Sequence, residues 1–338
     1  MLTLEHPTER GEVKGKAKKG TRESETDWAW VSSITVLAYF YPTGEESTDW
    51  ERMYGKTTCH RIILDCDFGT LNPLDNKYIN NPKQFYQDLP SSWGTRAPDL
   101  VNTAQNHEMR VFGYVPTDGA TAANGYDLEP KPADITEAQW RKKDFRSLNH
   151  IKKYVDFWYD WPSLRIDGIF FDEGPMDWRF KGGPPNTIPH KQYVHPDVRQ
   201  FYQEIHGYVK SKQSVPNVRG TTVMLNASEF KGEWVMSTAD TVLLYEGTSK
   251  RYEDTEDNYV QYILPEQNSW NNGQPYPQGR KYHVIHSCPH ADMPRMIGLS
   301  RQRNVSNVYV YDGSSEGYNR LPSYWEGENV VVNRYNRL

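Results

Sequence analysis

The chain has 338 residues and a formal net charge of −5 at pH 7, from 39 basic and 44 acidic side chains. That length can bury a large core in one big domain or two ordinary ones, and without a long basic block nucleic acid is not an expected partner. No run reaches the roughly 20 apolar residues of a membrane span, the start lacks the apolar core of a signal peptide, and three scattered cysteines form neither a disulfide framework nor a zinc pattern.

Residues 1–27 are charged and nearly free of large apolar side chains, the composition of a tail that does not fold alone but can lie on a protein partner. The folded domain is expected over 28–338. Its strands read as short runs, apolar on both faces, that close on a polar residue or a Gly/Pro turn. In order they are ITVLAYFYP from Ile34, RIILDCDFG from Arg61, RVFGYVPTDG from Arg110, IDGIFFDEG from Ile166, TTVMLNAS from Thr221, TVLLYEG from Thr241, YHVIHSCP from Tyr282 and NVYVYDG from Asn307. Continuous apolarity, rather than alternation, marks strands of a parallel sheet covered on both sides.

Helical spacing falls between them. Leu148, Ile151, Val155 and Trp158 share one face, as do Val198, Phe201, Ile205 and Val209 behind Pro196 at a first turn. PDLVNTAQNHEM and MPRMIGLSRQRN are weaker cases. Eight alternations of strand and helix predict a single (β/α)8 TIM-type barrel with long βα loops over its C-terminal face, with an open doubly wound sheet as the competitor. The longest such loop, after Glu173, is rich in Gly and Pro and carries Trp178 and Tyr193, which makes it a candidate lid.

Polar groups collect at the predicted strand ends: Asp65 and Asp67, Asp118, Asp172 and Glu173, Asn226, Glu246, His286 and Asp312. In a barrel these ends form one ring around a common mouth, the face where barrel active sites are built. Tyr39 and Tyr114 lie within the first and third runs, and the chain holds 11 Trp and 23 Tyr against 11 Phe, an excess of amphipathic rings suited to sugar faces. Adjacent residues on a strand point to opposite sides, so only one of Asp172 and Glu173 can face the axis squarely. Glu246 is the natural second carboxylate, two strands away across Asn226. Paired carboxylates in an aromatic mouth are what glycoside hydrolysis requires, one protonated to help the leaving oxygen depart and one ionised. A divalent metal held by Asp65, Asp67, Asp118 and Asp172 is the rival chemistry, and a glycan-binding protein that does not cut, such as an adhesin or virion surface component, is the rival class.

Other patterns fall away. His283 and His286 would point to opposite faces of one strand and cannot share a metal, YGKTT has Trp50 where a phosphate loop needs its first glycine, and the DFG at Asp67 has no kinase context. No metal and no cofactor is expected.

The segment IDGIFFDE resembles the spherulin-4-like proteins, a fungal and bacterial group classed as glycoside hydrolase family 135, whose hallmark is a D-G-I-F-F-D-E strand end. VFGYVPT near Gly113, LYEG at Glu246 and VYVYDG…LPSYW near the C-terminus support the resemblance in the same order, over roughly residues 34–326. It implies a barrel that cleaves internal α-1,4 linkages of galactosamine or N-acetylgalactosamine exopolysaccharide, as biofilm-degrading hydrolases do, with the family's acids on Asp172, Glu173 and Glu246. The remaining strand-end groups, with Tyr39, Tyr114, Trp178 and Tyr193, would bind substrate. An extracellular polymer as substrate sits beside a chain without a signal peptide, so another export route or a virion association is expected. The chain departs from the pattern at DCDFGTLNP and at Asp118-Gly119, positions that would line subsites.

Overall fold

The computed structural model describes residues 32–40, 47–56, 58–65, 84, 93, 96–117, 148–174, 198–216, 218–228, 232–257, 260–261, 264–273, 276–315 and 317–337. The expected tail at 1–27 lies outside them. Eight parallel strands close into a barrel in sequence order: β1 Ser33–Ala38, β2 Cys59–Leu64, β3 Arg110–Pro116, β4 Gly168–Asp172, β5 Thr222–Asn226, β6 Thr241–Thr248, β7 Lys281–His286 and β8 Asn307–Val310. Each coincides with one of the eight apolar runs, and closure excludes the open sheet.

Helices wrap the barrel: α1 Ser47–Met53, α2 Ala97–Asn106, α3 Leu148–Asp160, α4 Val198–Ser211, α5 Ser249–Glu253, α6 Leu264–Gly273, α7 Met293–Gln302 and α8 Trp325–Asn336. The two faces read by periodicity behave as expected, since Ile151, Val155 and Trp158 of α3 and Phe201, Ile205 and Val209 of α4 are buried. Between β5 and β6 the described residues hold only a short 3-10 helix, Glu233–Ser237, so strict strand-helix alternation lapses there.

Local chemistry explains how the wall seats its helices. Gly113 lets the indole of Trp158 lie directly on β3, where a Cβ would come within 2.3 Å of the ring, and the indole Nε1 donates to the Tyr114 carbonyl at 3.0 Å. Gly174 does the same for backbone, since a Cβ there would meet the Asn226 carbonyl at 1.8 Å. The DEG ending of β4 thus needs its glycine for the tight passage past β5.

The barrel closes unevenly. β3 and β4 pair over five positions, Phe112 to Pro116, but β1 and β8 pair only at Ser33 with Asn307 and Ile34 with Val308. Above that point the Val310 N–H donates to Glu328 Oε1 of α8 at 2.9 Å, while the Thr35 carbonyl accepts from the Tyr282 hydroxyl at 2.8 Å. A side chain from the outer layer therefore replaces a rung of the sheet.

Candidate active site

The cavity at the C-terminal mouth has a volume of about 250 Å³ and is lined by Tyr39, Tyr114, Asp172, Asn226, Glu246 and Tyr318 above an apolar floor of Leu37, Phe170 and Leu243, with Ser315 and Gly317 at its rim. Alternation along β4 turns Phe170 and Asp172 inward and Phe171 outward. Glu246 reaches the same interior by a different device. Leu243 and Glu246 both line the cavity although they are three residues apart, because β6 carries a register shift against β7 between Leu243 and Tyr245. That bulge re-aims the strand end; with plain alternation Glu246 would point into the helix layer.

Asn226 stands between the two acids. Its Nδ2 donates to Asp172 Oδ1 at 2.7 Å and to Glu246 Oε2 at 2.9 Å. The Ser228 N–H donates to Asn226 Oδ1 at 3.1 Å, which holds the amide with its NH2 toward the acids. Two bonds to one nitrogen keep the carboxylate oxygens within about 5.6 Å of each other, and the roughly 120° between the N–H bonds of an amide sets them about 5 Å apart. The other oxygen of each acid is held by a tyrosine, Tyr114 Oη donating to Asp172 Oδ2 at 2.8 Å and Tyr318 Oη to Glu246 Oε1 at 2.9 Å. Burial, then the facing carboxylates, push both phenols well above their ordinary range, so they act as neutral donors.

Tyr39 packs edge-on against both phenols, with ring centroids 5.5 Å from Tyr114 and 5.9 Å from Tyr318. Its N–H donates to the Tyr318 carbonyl at 3.2 Å, which docks the loop after β8 onto β1. The Tyr39 phenol is raised by burial first, then by Asp172, Tyr114, Asp65 and Glu246.

The other expected residues fall around this core. Glu173 is exposed and adopts a left-handed backbone with φ of 51°, and its carbonyl accepts from Thr117 Oγ1 at 3.0 Å. The same hydroxyl donates to the Asp172 carbonyl at 2.7 Å and meets Tyr202 Oη at 2.8 Å, fixing the end of β4. Asp65 is half-buried at the end of β2, close enough to act on Tyr39 and Tyr114. His286 ends β7, its Nδ1 3.1 Å from Ser287 Oγ, and burial lowers its pKa. Asp312 is engaged elsewhere, bound by Arg320 at 3.2 Å and by the Ser323 N–H at 3.2 Å. Burial alone would raise its carboxyl, but those partners hold it below its ordinary value. Asp67, Asp118, Trp178 and Tyr193 lie outside the described residues. Among the described residues no group of three His, Cys, Asp or Glu side chains could hold a metal ion, and no helix is long and apolar enough to cross a membrane. His283 faces the outer layer, its Nδ1 2.7 Å from Tyr252 Oη.

Tyr318 is the residue that sequence reasoning missed. It sits in the polar turn SEGYNRLP after the last strand, and in a chain with so many tyrosines nothing local marks it; only the docking of that loop on β1 brings it to Glu246.

Closed parallel barrel, carboxyl-end mouth and paired acids together define the architecture on which many barrel enzymes are built. The chain belongs to the spherulation-specific family 4, Spherulin4, whose family profile matches residues 33–332. No curated protein sequence matches the chain. Among solved structures it is similar to Sph3 of Aspergillus clavatus in complex with GalNAc, at 15% identity and a TM-score of 0.61, covering 90% of this chain and 98% of that one. ZgEngAGH5_4 in complex with a cellotriose aligns at 11% identity and a TM-score of 0.50, over 92% and 99% of the two chains. The PgaB (BpsB) glycoside hydrolase domain of Bordetella bronchiseptica aligns at 11% identity and a TM-score of 0.46, over 90% and 98%. At these identities the likeness concerns the fold.

Proposed function

We propose that the protein is a glycoside hydrolase acting within the chains of an amino-sugar polysaccharide, with Asp172 and Glu246 as its working pair. The observation that carries this reading is the shared amide of Asn226, which holds the two acids about 5 Å apart across an open cavity. A carboxyl spacing of about 5 to 5.5 Å suits a retaining route and leaves no room for a water between acid and sugar. One carboxylate attacks the anomeric carbon while the other, protonated, gives its proton to the departing glycosidic oxygen. Water then attacks the glycosyl ester, losing its proton to the second group and restoring the first carboxylate. Of the adjacent acids, Asp172 takes the working position because its side chain turns inward. Glu173, exposed next to Asp172, is left outside the working pair.

The choice of an amino sugar rests on family membership and on charge. The described cavity lining contains two carboxylates and no lysine or arginine, a field that favours substrate bearing ammonium groups. Galactosamine and N-acetylgalactosamine polymers joined α-1,4 are the first substrates to test. Incubation with such a polymer, followed by time-resolved sizing, should give a ladder of oligosaccharides with the anomeric configuration retained in the first product. Tight binding without any shortening of the polymer would replace this reading with a glycan-binding one.

A further inference from the structure

The three tyrosines of the mouth are not equivalent. Tyr114 and Tyr318 each spend their hydroxyl proton on one acid. Tyr39 stands between them, its ring edge-on to both, and it lines the cavity while its hydroxyl has no hydrogen-bond partner among the described residues. A phenol in such a place normally finds a partner. Asp172 and Glu246 already have two donors each, and both flank Tyr39.

We infer that Tyr39 is a substrate-contacting residue whose hydroxyl hydrogen-bonds the sugar ring lying across Asp172 and Glu246, while Tyr114 and Tyr318 are positioning residues that act through the acids. The assignment rests on the reading of the cavity as a glycan site. It makes the three hydroxyls separable by chemistry. Loss of Tyr114 or Tyr318 removes a hydrogen-bond donor from one carboxylate and so weakens the support of its charged form. Loss of the Tyr39 hydroxyl removes a contact to the sugar and leaves both acids with the donors they have. Its role is that of a neutral hydrogen-bonding group and not of a nucleophile or proton source, because burial and the surrounding acids oppose a phenolate.

The test uses Tyr39→Phe, Tyr114→Phe and Tyr318→Phe in the full chain, each first checked for an unchanged melting curve. On a galactosamine or N-acetylgalactosamine polymer, Tyr39→Phe should lower kcat/KM by roughly tenfold or more at every pH, since hydroxyl contacts to the reacting ring strengthen in the transition state, without moving either limb of the pH–rate profile. Tyr114→Phe and Tyr318→Phe should each move a limb to higher pH. A Tyr39→Phe enzyme with wild-type kcat/KM, or with a displaced limb, overturns the assignment while leaving the hydrolase reading intact. If the wild-type protein cleaves nothing, the hydrolase reading fails, and calorimetric binding of galactosamine and N-acetylgalactosamine then decides the role of Tyr39. Weaker binding to Tyr39→Phe supports the contact; equal binding, or no binding by the wild type, removes it.

Discussion

The mouth and the β1–β8 seam both bury carboxyl groups, and they treat them in opposite ways. At the mouth each oxygen of Asp172 and Glu246 accepts a hydrogen bond from Asn226, Tyr114 or Tyr318, and the pair borders an open cavity. In the seam Glu328 is 0% exposed, its Oε1 accepts from the Val310 N–H, and its Oε2 has no partner among the described residues. Burial pushes the Glu328 carboxyl up to about 8, offset in part by the Val310 N–H. A buried acid without a cation nearby keeps its proton and serves as a neutral plug. Donors on both oxygens, together with access to water, are what let an acid carry charge and do chemistry. The contrast shows that strand-adjacent acidity alone does not define a site; the donor set does.

The comparison breaks hardest at the acids. Asp172→Asn and Glu246→Gln should each lower turnover by about 10² or more with melting temperature nearly kept, as paired hydrolysis assays and melting curves on the same samples will show. Full activity in either variant would remove that residue from the mechanism. Asn226→Ala strips one donor from both acids at once and removes the amide that sets their spacing. We expect kcat/KM to fall roughly 10- to 100-fold, read by steady-state assays on the polymer.

Glu328 should behave in reverse, moving stability and not chemistry. Glu328→Ala leaves the Val310 N–H unpaired and opens a cavity, which together cost about 2 to 4 kcal/mol, measurable by denaturant unfolding. Because the folded-state value near 8 lies above the ordinary 4.5 of a glutamic acid, the folded protein holds this proton more tightly than the unfolded chain. The stabilisation is complete below about pH 4.5 and is lost as the pH climbs to about 8. Glu328→Gln keeps a polar group in place without a titration, so its stability should fall less over that window than the wild type's. Parallel curves would show that the seam acid does not titrate as described. Smallest of all, Thr117→Val removes the hydroxyl that bonds the carbonyls of Asp172 and Glu173. A loss of about 1 to 2 kcal/mol with turnover changed only a few-fold is the expected result of equilibrium unfolding and steady-state assays.

By itself the sequence determined the strand count, the strand-helix alternation, and the placing of Asp172, Asn226 and Glu246 at strand ends, while closure into a barrel rather than an open sheet came from the tertiary structure. Strands of a covered parallel sheet are apolar on both faces, so their polar ends stand out, and neighbouring ends converge once the sheet closes. It also limited the axis-facing acid to one of Asp172 and Glu173 by the period of two. The choice between them came from the tertiary structure, where the left-handed turn at Glu173 and the Thr117 hydroxyl set the end of β4. The inward aim of Glu246 was hidden too, because a bulge of one residue shifts the phase of β6 and depends on pairing with β7 rather than on any local residue preference. Tyr318 and Glu328 were invisible for a related reason. Each acts on a partner far along the chain, Glu246 and Val310, and contacts of that kind are decided by how the barrel closes, which no local pattern of residues records.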